Sequence, residues 1–131
     1  MRAAPGLLRQ GCNLLFHPDE RVEPVAIDQP LTAGEILPLA GGFEVIHTPG
    51  HCAGQVALLW RPGRMLFVGD VYMNLMGLGD PVGFENLNDG RASQRKLARL
   101  SFNAAGFGHG APIARDASTR FRDEWGEKSA A

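Results

Sequence analysis

Four short apolar runs separated by turn chemistry constrain this chain more than any other feature in it. Residues 35–39 and 43–48 flank Gly41-Gly42, and residues 55–60 and 64–68 flank Arg61-Pro62-Gly63. Paired glycines supply the positive φ angles of tight hairpins, and proline presets φ at the first corner of a turn. Runs this short, bounded by such turns, are strand-sized. The expectation is a four-stranded antiparallel meander.

Chemistry-bearing residues stand where these runs end. His47-Thr48-Pro49-Gly50-His51-Cys52-Ala53-Gly54-Gln55 joins the second run to the third, and Gly69-Asp70 closes the fourth. Gly108-His109-Gly110 follows a further short apolar segment, residues 104–107. Hairpins that fold alternately place the second-to-third connection and the end of the fourth strand on one sheet edge. His51 and Asp70 then meet there. Two histidines and one carboxylate at strand ends form a credible ligand set for a divalent metal, and such donors suit zinc, manganese or iron. Cys52 fits less well as a ligand, because neighbours on extended backbone point to opposite sides.

The ordered set Thr48-Pro49-Gly50-His51, Gly69-Asp70 and Gly108-His109-Gly110 resembles the second half of the metallo-β-lactamase-fold hydrolases, a superfamily that includes glyoxalase II-like enzymes. The resemblance runs from about Asn13 to the C-terminal helix. It implies an α/β fold, a partial αββα sandwich in which an antiparallel meander carries flanking helices, as one domain over residues 1–131. It also implies that His51, Asp70 and His109 are metal ligands, with Asp70 bridging two metals. Zinc is the first choice, manganese and iron the alternatives. The chemistry implied is attack of water or hydroxide on an ester, thioester or amide-type bond of a small-molecule substrate.

That family also carries an early His-X-His-X-Asp-His motif. This chain has none, and the only histidine before His47 is His17. The sequence therefore resembles the back portion of the fold without its front, as an incomplete gene product starting at an internal methionine would. Partial or absent metal occupancy and little hydrolase activity are expected of the isolated chain. The alternative is a non-catalytic, weakly metal-binding or metal-free module for binding or oligomerisation. A site completed by another subunit is the third reading.

Composition excludes some classes. Thirteen basic and 14 acidic residues leave a formal charge of -1, so neither nucleic acid nor an anionic membrane is an expected partner. No apolar run approaches the roughly 20 residues that span a bilayer, and no signal-peptide stretch opens the chain. A cytoplasmic protein is expected, with Cys12 and Cys52 as free thiols.

The remaining segments read as follows. Residues 3–10 suggest a weak helix, residues 13–16 a strand and His17-Pro18-Asp19-Glu20 a turn. Residues 71–87 form a glycine-rich loop, either a surface loop or a substrate-side lid. A helix with a solvated basic face is expected over residues 91–101, capped by Asn88 or Asp89, and another over residues 117–125. Without its front the fold would leave one face of the meander bare. Val45, Val56, Leu58, Leu66 and Val68 are the residues expected on it, and a homodimer is the simplest cover. Residues 3–16 folding back over that face are the competing cover.

Overall fold

The computed structural model describes residues 24–126. The expectations for residues 3–20, including the Cys12 thiol, lie outside the described residues. Five strands form the main sheet: β1 (Ile36–Leu37), β2 (Phe43–His47), β3 (Val56–Trp60), β4 (Met65–Phe67) and, after a small hairpin and a helix, β7 (Ala104–Gly106). The first four pair antiparallel in sequence order, as the turn chemistry predicts. The turn into β2 runs through Ala40, Gly41 and Gly42, all at positive φ, which explains why that stretch is rich in glycine.

β7 joins the far side of β4 in parallel, with Met65 opposite Ala104 and Phe67 opposite Gly106. A parallel neighbour needs a crossover. Here it contains β5 (Met73–Asn74), β6 (Leu78–Gly79) and α1 (Leu87–Ala98). The stretch expected to be an unstructured loop thus holds a two-stranded hairpin. Helix α1 also starts earlier than expected. Its N-cap is Asn86, whose side chain accepts from the Asp89 N–H, so neither Asn88 nor Asp89 caps it. Helix α2 (Ala117–Trp125) closes the described chain over the expected span.

Both helices cover one face of the sheet. Ala57, Leu66, Val68 and Ala105 point into that core, beside Leu97 and Ala98 of α1 and Ala117 and Phe121 of α2. Phe121 meets Tyr72 and Phe102 edge-to-face at 4.6 and 5.1 Å, an arrangement that suits the ring quadrupoles. The buried Tyr72 hydroxyl donates to the Gln94 carbonyl at 2.5 Å. Burial, with a smaller push from the Asp80 charge, holds its pKa far above the ordinary tyrosine value.

The opposite face carries Phe43, Val45, Val56, Leu58, Trp60, Met65 and Phe67, because directly paired residues share a face. This corrects the expected membership. Val45, Val56 and Leu58 belong here, but Leu66 and Val68 are fully buried under the helices. Alternation within each strand was readable; the phase between β3 and β4 was set by the Arg61–Arg64 turn, where Arg64 donates to the Arg61 carbonyl. Phe43 stacks on Trp60, yet Phe67 remains 39% exposed.

Candidate metal centre

The parallel pairing of β4 with β7 runs past the strands themselves. Val68 donates to the Gly106 carbonyl at 3.0 Å and Gly108 to the Gly69 carbonyl at 2.9 Å. Asp70 and His109 therefore leave the sheet side by side. The loop between β2 and β3 opens on the same edge and brings His51 to them. His51 Nε2 lies 3.8 Å from Asp70 Oδ2, and His109 Nε2 lies 3.5 Å from Asp70 Oδ1. All three side chains keep partial access to solvent, at 36, 33 and 62% for His51, Asp70 and His109.

The His51 loop is seated on the start of α1. Ser93 donates to the Pro49 carbonyl at 2.7 Å, Asn86 N–H to the Gly50 carbonyl at 3.0 Å, and Ala53 N–H to the Glu85 carboxylate at 3.0 Å. Gly50 is required here: φ is +141°, and a Cβ would run into the backbone of Gly90. The His51 ring bonds through Nδ1 to the Gly83 carbonyl at 2.8 Å. A carbonyl only accepts, so Nδ1 carries a proton, and in the neutral ring Nε2 keeps the lone pair that a metal takes. Its aim toward Asp70 suits a metal ligand, in which the second ring nitrogen is commonly tied down this way. His47 is occupied elsewhere, its Nε2 donating to the Ala53 carbonyl at 2.9 Å. Cys52 is a free, exposed thiol.

Two residues missed in the sequence support this edge. Asp80 grips Arg91 through both carboxylate oxygens at 2.6 and 2.7 Å, which ties the segment carrying Gly83 to α1. The Arg91 hydrogen bond holds the Asp80 pKa below the ordinary carboxylate range. Arg91 is thus clasped by Asp80 and is not part of a freely solvated basic face. Gln55, at the foot of β3, reaches under the Gly69-Asp70 turn. With its amide oxygen turned inward it accepts from the N–H groups of Asp70 and Val71 at 3.0 and 2.8 Å. No local pattern marks either role, since both depend on residues 11 or more positions away.

Donor chemistry at this edge suits a divalent cation. Asp70 Oδ1 is buried and accepts no hydrogen bond, a costly state for a carboxylate oxygen that a cation would relieve. Among the described residues, however, no group of three or more His, Cys, Asp or Glu side chains is set to hold one ion. Each histidine faces a different oxygen of Asp70. The arrangement is two histidine–carboxylate pairs sharing one aspartate, and not a single closed three-ligand centre.

No family model matches this sequence, but solved structures do. A metallo-β-lactamase family protein from Thermus thermophilus is 28% identical with a TM-score of 0.63, over 91% of this chain and 44% of that one. BLEG-1, a B3 metallo-β-lactamase, matches at 24% identity and a TM-score of 0.65, over 87% of this chain and 55% of its own. The protein TTHA1623, solved in a di-iron-bound form, matches at 25% and 0.58, over 92% and 59%. This chain has part of the metallo-β-lactamase fold. It spans about half the length of these three structures. The metallo-β-lactamase-like part present here comprises the meander, the parallel strand β7 and two helices on one face. No helix among the described residues is long and apolar enough to cross a membrane.

Proposed function

We propose that this chain is the ligand-bearing back portion of a metal-dependent hydrolase of the metallo-β-lactamase type. His51, Asp70 and His109 contribute to a divalent metal centre, with Asp70 shared between two positions. The observation that carries this reading is Asp70 itself: a carboxylate with one buried, unbonded oxygen, flanked on either oxygen by a histidine. Zinc is the first candidate metal; a neighbour solved with two irons keeps iron beside it, and manganese suits the same donors.

The chain's own groups do the positioning. Gly83 fixes the His51 tautomer through its carbonyl, the paired ends of β4 and β7 hold Asp70 and His109 adjacent, and the open edge admits a substrate. A divalent metal held there supplies Lewis-acid polarisation of an ester, thioester or amide-type bond and acidifies water. Each histidine–aspartate pair offers two ligands, fewer than the three protein ligands usual in catalytic zinc sites. Weak uptake and little hydrolysis by the isolated chain follow. Metal analysis of the purified chain after dialysis against zinc tests this: substoichiometric zinc that disappears in Asp70→Ala supports it. Equal zinc in both proteins rules it out.

The aromatic sheet face favours a second reading, an association module whose occupant is a second copy of this chain. Phe43, Trp60 and Phe67 lie together on the side that the helices leave open, and one self-complementary patch closes a two-fold dimer. Light scattering at micromolar concentration distinguishes the two states. A Phe67→Glu variant should dissociate the dimer, whereas a monomeric wild-type chain excludes this reading.

A further inference from the structure

We infer that Gln55 is a positioning residue for Asp70, coupling closure of the His51 loop to the orientation of the shared carboxylate; this rests on the metal-centre reading above. Gln55 belongs to the same loop as His51, and its main-chain carbonyl closes that loop by accepting the Thr48 N–H at 2.9 Å. Its side chain then crosses to the second ligand-bearing segment. The turn there is tight, with Gly69 at φ +57°, and its N–H groups point inward. With the Gln55 amide oxygen turned toward this turn, the orientation that satisfies both amide atoms, Asp70 and Val71 donate to it at 3.0 and 2.8 Å. A Cβ on Gly69 would press on the Gln55 side chain at 3.3 Å, so the two segments are in direct contact.

Two hydrogen bonds to consecutive amides fix the backbone at Asp70 in both position and tilt. That tilt decides which carboxylate oxygen meets which histidine, Oδ2 toward His51 and Oδ1 toward His109. Ligand bonds are about 2 Å long, and sites tolerate only about 0.5 Å of misplacement. A small rotation of the turn therefore matters to both pairs at once. Residues that orient ligands in this way typically change metal affinity about 10- to 100-fold when removed.

The test uses the full chain as wild type, Gln55→Leu, Gln55→Glu and Asp70→Ala, with two readouts. Without metal, amide hydrogen exchange at Asp70 and Val71 should accelerate in Gln55→Leu while β2 and β3 stay protected. Gln55→Glu should restore protection, because a carboxylate oxygen accepts the same two N–H groups. With cobalt(II) as the probe, followed by its visible absorption, Gln55→Leu should bind about 10- to 100-fold more weakly. Asp70→Ala should bind no cobalt, as the metal-centre reading requires. Unchanged exchange in Gln55→Leu overturns the inference, as does a cobalt affinity in Gln55→Leu equal to that of the wild type. If the wild-type chain takes up no cobalt, the metal reading fails, and the exchange measurement alone decides whether Gln55 holds the turn.

Discussion

The two histidines of the site are held by different means. His51 is fixed through its ring, with Nδ1 on the Gly83 carbonyl, and its loop is bonded to α1 at Pro49 and to the two residues before that helix at Gly50 and Ala53. His109 is held by main chain: its carbonyl accepts the Asn74 N–H at 3.0 Å. Among the described residues the ring has one polar neighbour, Asp70, at 3.5 Å, beyond a good hydrogen bond. One side of the centre is thus pre-aimed, and the other has no hydrogen bond that fixes its ring. A helix start provides many fixed donors and acceptors for a loop laid across it. A turn at the end of a three-residue strand, packed on a small hairpin, provides few.

The largest expected effect lies on the fixed side. Gly50→Ala combines a positive φ with a Cβ directed at the Gly90 backbone, and neither can give way cheaply. A loss of about 2–5 kcal/mol in denaturant unfolding is expected. A loss under about 1 kcal/mol would show that the His51 loop is far less rigidly seated than its hydrogen bonds imply.

A middle effect separates stability from site geometry on the other side. A Cβ at Gly108 would collide with the end of the Asp70 side chain, which can swing away toward solvent, and would meet the Gly69 carbonyl oxygen at 3.2 Å, which needs a shift of only a few tenths of an ångström. Gly108→Ala should therefore cost under about 1 kcal/mol of stability. Zinc affinity should nevertheless fall by about tenfold or more, since the shared carboxylate is displaced. Undisturbed zinc binding would show that Asp70 tolerates movement and that the His109 side is as well held as the His51 side.

The smallest effect concerns pH. The hydrogen bond from Arg91 lowers the Asp80 pKa. A carboxylate with a depressed folded-state pKa contributes stability that is present above its unfolded value and is lost as pH falls through the folded one. Asp80→Asn should therefore be slightly less stable than wild type at neutral pH, with the gap closing in acid. Asp80 is largely solvated, so screening keeps the difference small. Chemical shifts should move at His51, whose Gly83 partner follows this clasp, and not at His109. Denaturation midpoints across acidic to neutral pH, with histidine spectra, check both points.

Much of the fold was legible because hairpins are local. Gly41-Gly42 and Arg61-Pro62-Gly63 announce β1 to β4 within a few residues, and the 117–125 helix was readable to its ends. The N-cap of α1 was misplaced by two or three residues because Asn86, Asn88 and Asp89 are all capping types. Only the Asn86 side chain finds the Asp89 N–H. The hairpin β5–β6 leaves no mark in the sequence because two-residue strands carry no periodicity.

Local sequence sets the kinds of donor at the site and their attachment to strand ends: His51 after Pro49-Gly50, Asp70 after Gly69, His109 between glycines. Tertiary structure decided everything that depends on one segment meeting another. The parallel pairing of β4 with β7 brings Asp70 beside His109 across 38 intervening residues. The relative phase of β3 and β4 sends Leu66 and Val68 under the helices and leaves Phe67 outside. Gln55 and the Gly83 carbonyl acquire their roles only once distant backbone arrives within hydrogen-bond reach. The physical reason is range: turn and strand preferences act over a few residues, whereas hydrogen bonds that orient a ligand are made by whatever groups packing delivers.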